Sequence, residues 1–231
     1  MKLILTCEHA GHEIPDTYKK HFNNKAVLKT HRGYDLGALD LFQHLKPLSD
    51  ASYFSTTSRL LVELNRSLFS KQLFSEFSNG LSKNEKSEIL ETYYFPYRTE
   101  IEYKIAEYVK NKQHVLHLSI HSFTPNLNGE ERKGDIGLLY DSRRKKEQEF
   151  CKEFKSELLK QASNLNVRFN YPYLGKADGF TTFLRKQFPT NYLGIEIEVN
   201  QKFVKKNTMS LKLKQTLFNT INNLKSTQSI F

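Results

Sequence analysis

The chain has 231 residues, of which 38% are hydrophobic and 26% are charged. A chain of this length and composition is expected to fold as one globular domain, residues 1–231, with a sizeable core. It contains no apolar run near the roughly 20 residues that a membrane span needs, and the run at positions 3–5 is too short for a signal peptide. We therefore expect no membrane association and a cytoplasmic location.

The formal net charge is +10, an excess that could serve nucleic acid or anionic small molecules. The basic residues are spread along the chain, and the densest run occupies only positions 143–146. We interpret most of this charge as solvated surface, which disfavours a nucleic-acid partner. The two cysteines, Cys7 and Cys151, have no CxxC spacing and are expected to be reduced thiols rather than zinc ligands.

Strands and helices are predicted to alternate along the chain. Patterns typical of strands occupy residues 2–6, one or two segments within 52–64, and residues 115–122, 136–140 and 192–199. Helical spacing occupies residues 35–46, 97–111, 144–163, 178–188 and 208–224. Asp35 and Asp178 are predicted N-caps, and Ser82 with Glu85 is a predicted capping box. This order predicts an α/β fold with a parallel or mixed sheet covered by helices on both faces.

Two segments at the ends of predicted strands are rich in potential metal ligands. Directly after the first strand, six positions contain Glu8, His9, His12 and Glu13. His121 lies at the end of the strand predicted over 115–122. Ligands bind beyond the carboxyl ends of parallel strands, and imidazole and carboxylate are good zinc ligands. These residues are therefore candidates for a metal site, and a polar loop with capping side chains is the alternative for the first segment.

The strand predicted over 192–199 carries two acids on one face. Ile195, Ile197 and Val199 share one side, so Glu196 and Glu198 share the other. Carboxylates in so apolar a strand are costly unless they are solvated, paired or bound to metal. The pattern therefore indicates either an exposed edge strand or a carboxylate directed into an active site.

Asn65 and Arg66 follow the apolar run 60–64, which we expect to be a strand. The planar guanidinium of arginine matches a carboxylate through two parallel hydrogen bonds. Arg66 is therefore a candidate anchor for an anionic substrate, with pairing to a surface acid as the alternative. The next candidates for this anchor are Arg59, Arg132 and Arg185.

Taken together, these segments resemble the N-formylglutamate amidohydrolase family. The order and spacing of the matching residues, which span positions 7–201, carry the resemblance. They are Cys7 to Gly11 with Ile14 and Pro15, Gly33 to Asp35 with Gly37 and Ala38, Ser58 and Arg59 through Asn65 and Arg66, His121 and Ser122, Asp135 to Gly137, Asn170 with Pro172 and Tyr173, and Glu196 to Gln201.

That family is similar to the zinc carboxypeptidases, and the resemblance implies a role for several residues. It implies one Zn²⁺ ion, or another divalent metal, bound by His9 and His121. His12 is the favoured third ligand because its spacing from His9 matches the related enzymes, with Glu13 and Glu8 as alternatives. Glu198, rather than Glu196, would activate the attacking water.

The same resemblance implies the substrate and the reaction. Arg66 with Asn65 would bind the substrate carboxylate, and Arg59, Tyr173 and Arg185 are further substrate-binding candidates. The implied activity is metal-dependent hydrolysis of a small anionic N-acyl amino acid, with N-formyl-L-glutamate giving formate and L-glutamate. The alternatives are a related zinc deacylase or small carboxypeptidase, and a non-catalytic basic binding protein on a decayed hydrolase fold.

Overall fold

The computed structural model describes residues 1–227 and is built around a six-stranded sheet. In chain order, the strands are β1 (Lys2–Cys7), β2 (Ala51–Phe54), β3 (Val115–Phe123), β4 (Asn126–Leu127), β5 (Glu130–Glu131), β6 (Ile136–Leu139), β7 (Val167–Phe169), β8 (Tyr192–Asn200), β9 (Val204–Lys205) and β10 (Thr208–Met209). The α-helices are α1 (Lys25–Leu28), α2 (Ala38–Leu45), α3 (Lys83–Ile89), α4 (Phe95–Lys110), α5 (Lys145–Gln161), α6 (Phe180–Gln187) and α7 (Leu211–Thr227). Within residues 1–227, no helix is both long and apolar enough to cross a membrane.

The main sheet has the strand order β2-β1-β3-β8-β6-β7. Strands β2, β1, β3 and β8 run parallel, whereas β6 is antiparallel to β8 and β7 is parallel to β6. The strands β4 and β5 form a separate hairpin, as do β9 and β10. The predicted α/β fold with a mixed sheet is therefore confirmed.

Helices pack on both faces of the sheet, and alternate side chains of the central strands contact one face or the other. Leu116, Leu118 and Ile120 of β3 pack in one core cluster with apolar residues of α2, α5 and α7. On the opposite face, Ile4 and Val115 pack with apolar residues of α4 and α6. Towards the carboxyl ends of β1, β3 and β8, this second face carries polar side chains instead of apolar ones, and the candidate site lies there.

The prediction of a strand over residues 60–64 was wrong. Strand β2 ends at Phe54, and Leu60 to Leu64 lie in turns and irregular backbone. Leu61, Val62 and Leu64 are nevertheless almost fully buried, in a second cluster with residues such as Phe22 and Ile89. A continuous apolar run indicates burial, and here the loops and helices between β1 and β3 supply that burial without a neighbouring strand.

Two predicted helix caps were also wrong, whereas the capping box is confirmed. Ser82 and Glu85 cap α3 as expected. Helix α2 begins only after Gly37, whose φ of 74° is left-handed. The carboxylate of Asp35 does not cap this helix but accepts hydrogen bonds from two histidines. At the start of α6, the amide of Phe180 donates to the side chain of Asn65 at 2.7 Å. Asp178 instead accepts from the amide and hydroxyl of Ser67.

Candidate active site

A buried group of two imidazoles and one carboxylate lies at the carboxyl ends of β1 and β3. It consists of His9, Asp35 and His121, and the potential ligand atoms all lie within 4.8 Å of one another. Oδ2 of Asp35 accepts from Nδ1 of His121 at 2.9 Å and from Nδ1 of His9 at 3.2 Å. The fold therefore brings together residues from a strand end, a turn before α2 and a central strand.

A second carboxylate faces the other nitrogen of each imidazole. Nε2 of His9 donates to Glu63 at 2.5 Å. Nε2 of His121 lies 3.2 Å from Glu8 and donates to the hydroxyl of Ser119 at 2.8 Å, and this hydroxyl donates in turn to Glu8 at 2.6 Å. Such outer carboxylates hold a proton on Nε2, which leaves Nδ1 of each ring to act as a ligand. Burial lowers the pKa of both histidines, but the surrounding carboxylates outweigh burial and raise it. A cation bound at Nδ1 would displace the proton held there.

The donor chemistry of this group fits a divalent metal ion. Two imidazoles and one carboxylate are the protein ligands of a common type of catalytic zinc site, which keeps a further position open. All three residues are at most 4% exposed. Burial disfavours the charge on Asp35, but His9 and His121 outweigh this effect and hold the pKa of Asp35 below its usual range. The carboxylate is therefore ionised and ready to bind a cation.

The two acids of β8 have different surroundings. Oε1 of Glu196 accepts from the hydroxyl of Thr181 at 2.7 Å. Glu198 pairs with His121 in the β3–β8 register, and among the residues that the structure describes no donor reaches its buried Oε2 atom. Burial raises the pKa of Glu198 to about 7. Glu198 is therefore the acid with an uncommitted oxygen beside the histidine–aspartate group.

A cavity of about 440 Å³ opens over this group. Most of the site residues predicted from the sequence line this cavity. Those that line it are His9, Arg59, Asn65, Arg66, His121, Tyr173, Glu196 and Glu198, together with Asp35.

His12, Glu13 and Arg185 do not line this cavity. The ring of His12 packs edge-on against Tyr34, and His12 and Glu13 both line a neighbouring cavity. Arg185 is buried, and its guanidinium pairs with Glu147. Its guanidinium is therefore occupied inside the protein and does not face a substrate.

The backbone after His9 explains the position of His12. The amides of Ala10 and Glu13 donate to the carbonyls of Ser55 and Thr56. At Gly11, a Cβ atom would lie only 2.6 Å from the carbonyl oxygen of Thr56. The segment is thus held flat against residues 55–57, which directs His12 away from His9. The residue that lies beside both His9 and His121 is therefore Asp35, and not His12 as the spacing from His9 predicted.

Sequence reasoning missed the carboxylates of Asp35 and Glu63 at this site. Asp35 lies in a segment that matches the family, but its position before a helical pattern predicts a helix cap. Glu63 lies in the apolar run that predicts a strand. Glu63 accepts from Nε2 of His9 and forms an ion pair with Arg59 at 2.6 Å. The only available signal was the position of both acids within segments that carry the family resemblance.

The two cavity arginines differ in their partners. Arg59 pairs with Glu63 and, at 3.3 Å, with Asp35, so its charge is used to hold these carboxylates. Nη1 of Arg66 donates to the carbonyls of Asn65 and Asp178 at 2.9 and 3.1 Å. Nε of Arg66 donates to the side chain of Gln72 at 3.3 Å, so the hydrogen bonds of this guanidinium within residues 1–227 go to neutral acceptors and its charge is available to an anionic ligand.

The comparisons with known proteins agree with this architecture. A crystal structure of a gene product from Agrobacterium tumefaciens has a TM-score of 0.80 and 26% identity, and the match covers 98% of this chain and 91% of that one. The structure of N-formylglutamate amidohydrolase from Ralstonia eutropha JMP134 has a TM-score of 0.74 and 14% identity, covering 100% and 94%. A metallo-carboxypeptidase from Pseudomonas aeruginosa is a more distant match, with a TM-score of 0.43, 12% identity and coverage of 98% and 56%.

No curated protein matches the chain. The family model of N-formylglutamate amidohydrolase matches residues 1–204, which is most of the sequence. The chain therefore belongs to the N-formylglutamate amidohydrolase family.

Proposed function

We propose that the protein is a metal-dependent hydrolase of N-acyl amino acids, with N-formyl-L-glutamate, which yields formate and L-glutamate, as the first substrate to test. One observation carries this proposal. The buried His9–Asp35–His121 group and the uncommitted carboxylate of Glu198 line the same cavity, which Arg66 also lines. Family membership supports amide hydrolysis independently.

In the proposed reaction, His9, Asp35 and His121 hold one divalent cation, for which we propose Zn²⁺. Such a cation, when bound, polarises the scissile carbonyl and lowers the pKa of water. Glu198 takes a proton from the attacking water and delivers it to the leaving amine. Water adds to the acyl carbon, the C–N bond breaks, and the products are a carboxylic acid and a free amino acid.

Other residues position these groups. Glu63 accepts the Nε2 proton of His9, and Ser119 with Glu8 accepts that of His121, which fixes the tautomer and the orientation of each ring. Arg66 binds the carboxylate of the substrate, and Arg59 forms ion pairs with Asp35 and Glu63 and lowers the pKa of Glu63. The buried free thiols Cys7 and Cys151 are consistent with the reducing cytoplasm that we propose as the location.

The test combines metal analysis with a substrate screen. The protein is purified without added metal, its metal content is measured, and N-formyl-L-glutamate is assayed beside a panel of other N-acyl amino acids. We expect about one metal ion per chain, loss of hydrolysis with a chelator and recovery with zinc. Full activity in verified metal-free protein would contradict the mechanism. Metal-loaded protein that hydrolyses no N-acyl amino acid would indicate a decayed, non-catalytic fold.

A further inference from the structure

Part of the wall of the cavity over the histidine–aspartate group is apolar. The apolar wall comes from two segments and consists of Phe123, Leu127, Tyr173, Leu174 and Ala177. Arg132 links the segments, because its guanidinium lies 5.9 Å from the ring of Phe123 and 5.3 Å from the ring of Tyr173. This apolar wall contrasts with the charged side chains that line the rest of the cavity.

The two largest side chains of the second segment are exposed. Tyr173 is 49% exposed and Leu174 is 55% exposed. Large apolar side chains that line a cavity and remain open to water are typical of ligand-binding surfaces, since burying them against a ligand is favourable. The apolar wall is therefore suited to bind an apolar group of a ligand.

The backbone of the second segment is fixed in place. The amide of Gly175 donates to the side chain of Asn170 at 3.0 Å, and the buried guanidinium of Arg185 donates to the carbonyl of Gly175 at 2.6 Å. A Cβ atom at position 175 would lie 2.2 Å from the amide nitrogen of Tyr140, so only glycine allows this close approach. The backbone of this segment is thus preformed, which lowers the entropic cost of binding a ligand against it.

N-formyl-L-glutamate offers this wall only the two methylenes of its side chain. Its formyl group bears only a hydrogen on the carbonyl carbon, and its side chain ends in a carboxylate. The cavity volume of about 440 Å³ falls in the range of roughly 300–1,000 Å³ that accommodates ligands with larger apolar parts. The size and the lining of the cavity therefore both point to a bulkier substrate.

We propose that the preferred substrate carries, besides its carboxylate, an apolar group of several carbon atoms that packs against the apolar wall. This proposal rests on the proposed amide hydrolysis and specifies its substrate class. The apolar group is either the acyl chain or the side chain of the amino acid, and two series of substrates distinguish these possibilities.

In the first series, the acyl chain of an L-glutamate derivative grows from acetyl to butanoyl to hexanoyl. It starts at acetyl because a formyl carbonyl is intrinsically more reactive. In the second series, N-formyl derivatives of alanine, leucine and phenylalanine vary the side chain. In one of the two series, kcat/KM is expected to rise roughly fourfold with each buried methylene. Leu174→Ser and Leu127→Ser, one from each segment, should each reduce that rise.

Leu211→Ser is the matched control. Leu211 is also an exposed leucine, at 69%, but it lies at the start of α7 and does not line the cavity. This variant should keep the rise of the unmodified protein, and thermal unfolding verifies that all three variants are folded. If N-formyl-L-glutamate is hydrolysed but both series are flat, or if the rise survives both wall substitutions, the apolar-wall proposal is wrong while the proposed function stands. If no N-acyl amino acid is hydrolysed by metal-loaded protein, both proposals fail.

Discussion

Oδ2 of Asp35 accepts a hydrogen bond from Nδ1 of His121 at 2.9 Å, although 86 positions separate the two residues in the chain. The same oxygen lies 3.2 Å from Nδ1 of His9. A single carboxylate oxygen therefore joins the two imidazoles that we propose as metal ligands. This contact changes the third proposed ligand from His12 to Asp35, and the two choices give opposite predictions.

Asp35→Asn should lose most of the bound metal, whereas His12→Ala should retain it. The amide of asparagine has nearly the shape of the carboxylate but lacks its charge, and charge is what attracts a divalent cation. His12 packs against Tyr34 outside the group, so its removal leaves all three proposed ligands in place. Metal content per chain after dialysis against a weak chelator measures the difference.

Because Asp35 also pairs with Arg59, folding of the Asp35→Asn variant must be verified by thermal unfolding and circular dichroism. His121→Ala serves as a positive control that should also lose metal. Retention of metal by Asp35→Asn together with loss by His12→Ala would restore the original ligand assignment.

Glu198→Gln should keep its metal and its fold but lose most turnover. The substitution removes the proton acceptor without changing the shape of the side chain, and loss of general acid–base catalysis typically costs about 10²–10⁴-fold in rate. Glu196→Gln is the matched control, because Glu196 lies on the same face of β8 but is bonded to Thr181. It should show a much smaller loss of kcat. The reverse ranking would transfer the role of general base to Glu196.

The regular strands were predictable because the alternation of apolar and polar residues along a strand indicates which side chains enter the core on each face of the sheet. In β3, the side chains of Leu116, Leu118 and Ile120 enter one core, and the polar residues between them lie on the other face. The same pattern set the bounds of β8 to within one residue. Both strands lie in the centre of the sheet, where neighbouring strands and covering helices bury each face.

The remaining parts depend on contacts that no local pattern encodes. An aspartate before a helix has the same local signature whether it caps the helix or binds a distant histidine, so Asp35 could not be assigned from its neighbours. The apolar run 60–64 indicated burial but not its partner, and a cluster of loops and helices buries it. Residues on the regular strands, such as His121 and Glu198, were therefore easier to place than those in turns.

Arg66→Lys should weaken binding of substrates with a free carboxylate, although it keeps the positive charge. A lysine ammonium cannot reproduce the two parallel hydrogen bonds of a guanidinium. We expect a loss of a few kcal/mol in transition-state binding for the acid substrate. An N-acyl amino acid amide should already be a poor substrate and should lose little more. The comparison uses kcat/KM for acid and amide substrates on both proteins. Equal losses for both substrates would show that Arg66 is structural.

Arg98 should act as a positioning residue for the segment that presents Asn65 and Arg66. It is only 5% exposed, and its Nη1 atom donates to the carbonyls of Leu64 and Arg66 at 2.8 and 3.3 Å. Its guanidinium lies 4.2 Å from the ring of Phe180. Lysine is a compact point charge that cannot form this planar stack and both hydrogen bonds. Arg98→Lys should therefore raise KM for carboxylate substrates more than it lowers kcat, with metal content unchanged.

Tyr94→Phe provides a graded comparison for the same segment. The hydroxyl of Tyr94 donates to the carbonyl of Arg66 at 2.8 Å, so its removal deletes one hydrogen bond and leaves the ring in place. The net contribution of such a bond is about 0.5–1.5 kcal/mol, and we expect a rise in KM in the same direction as for Arg98→Lys but smaller. Because both variants act through the position of Arg66, both should also narrow the difference in kcat/KM between acid and amide substrates. A variant that lowers thermal stability but leaves this acid–amide difference intact would show that the substituted residue supports the fold and not substrate recognition.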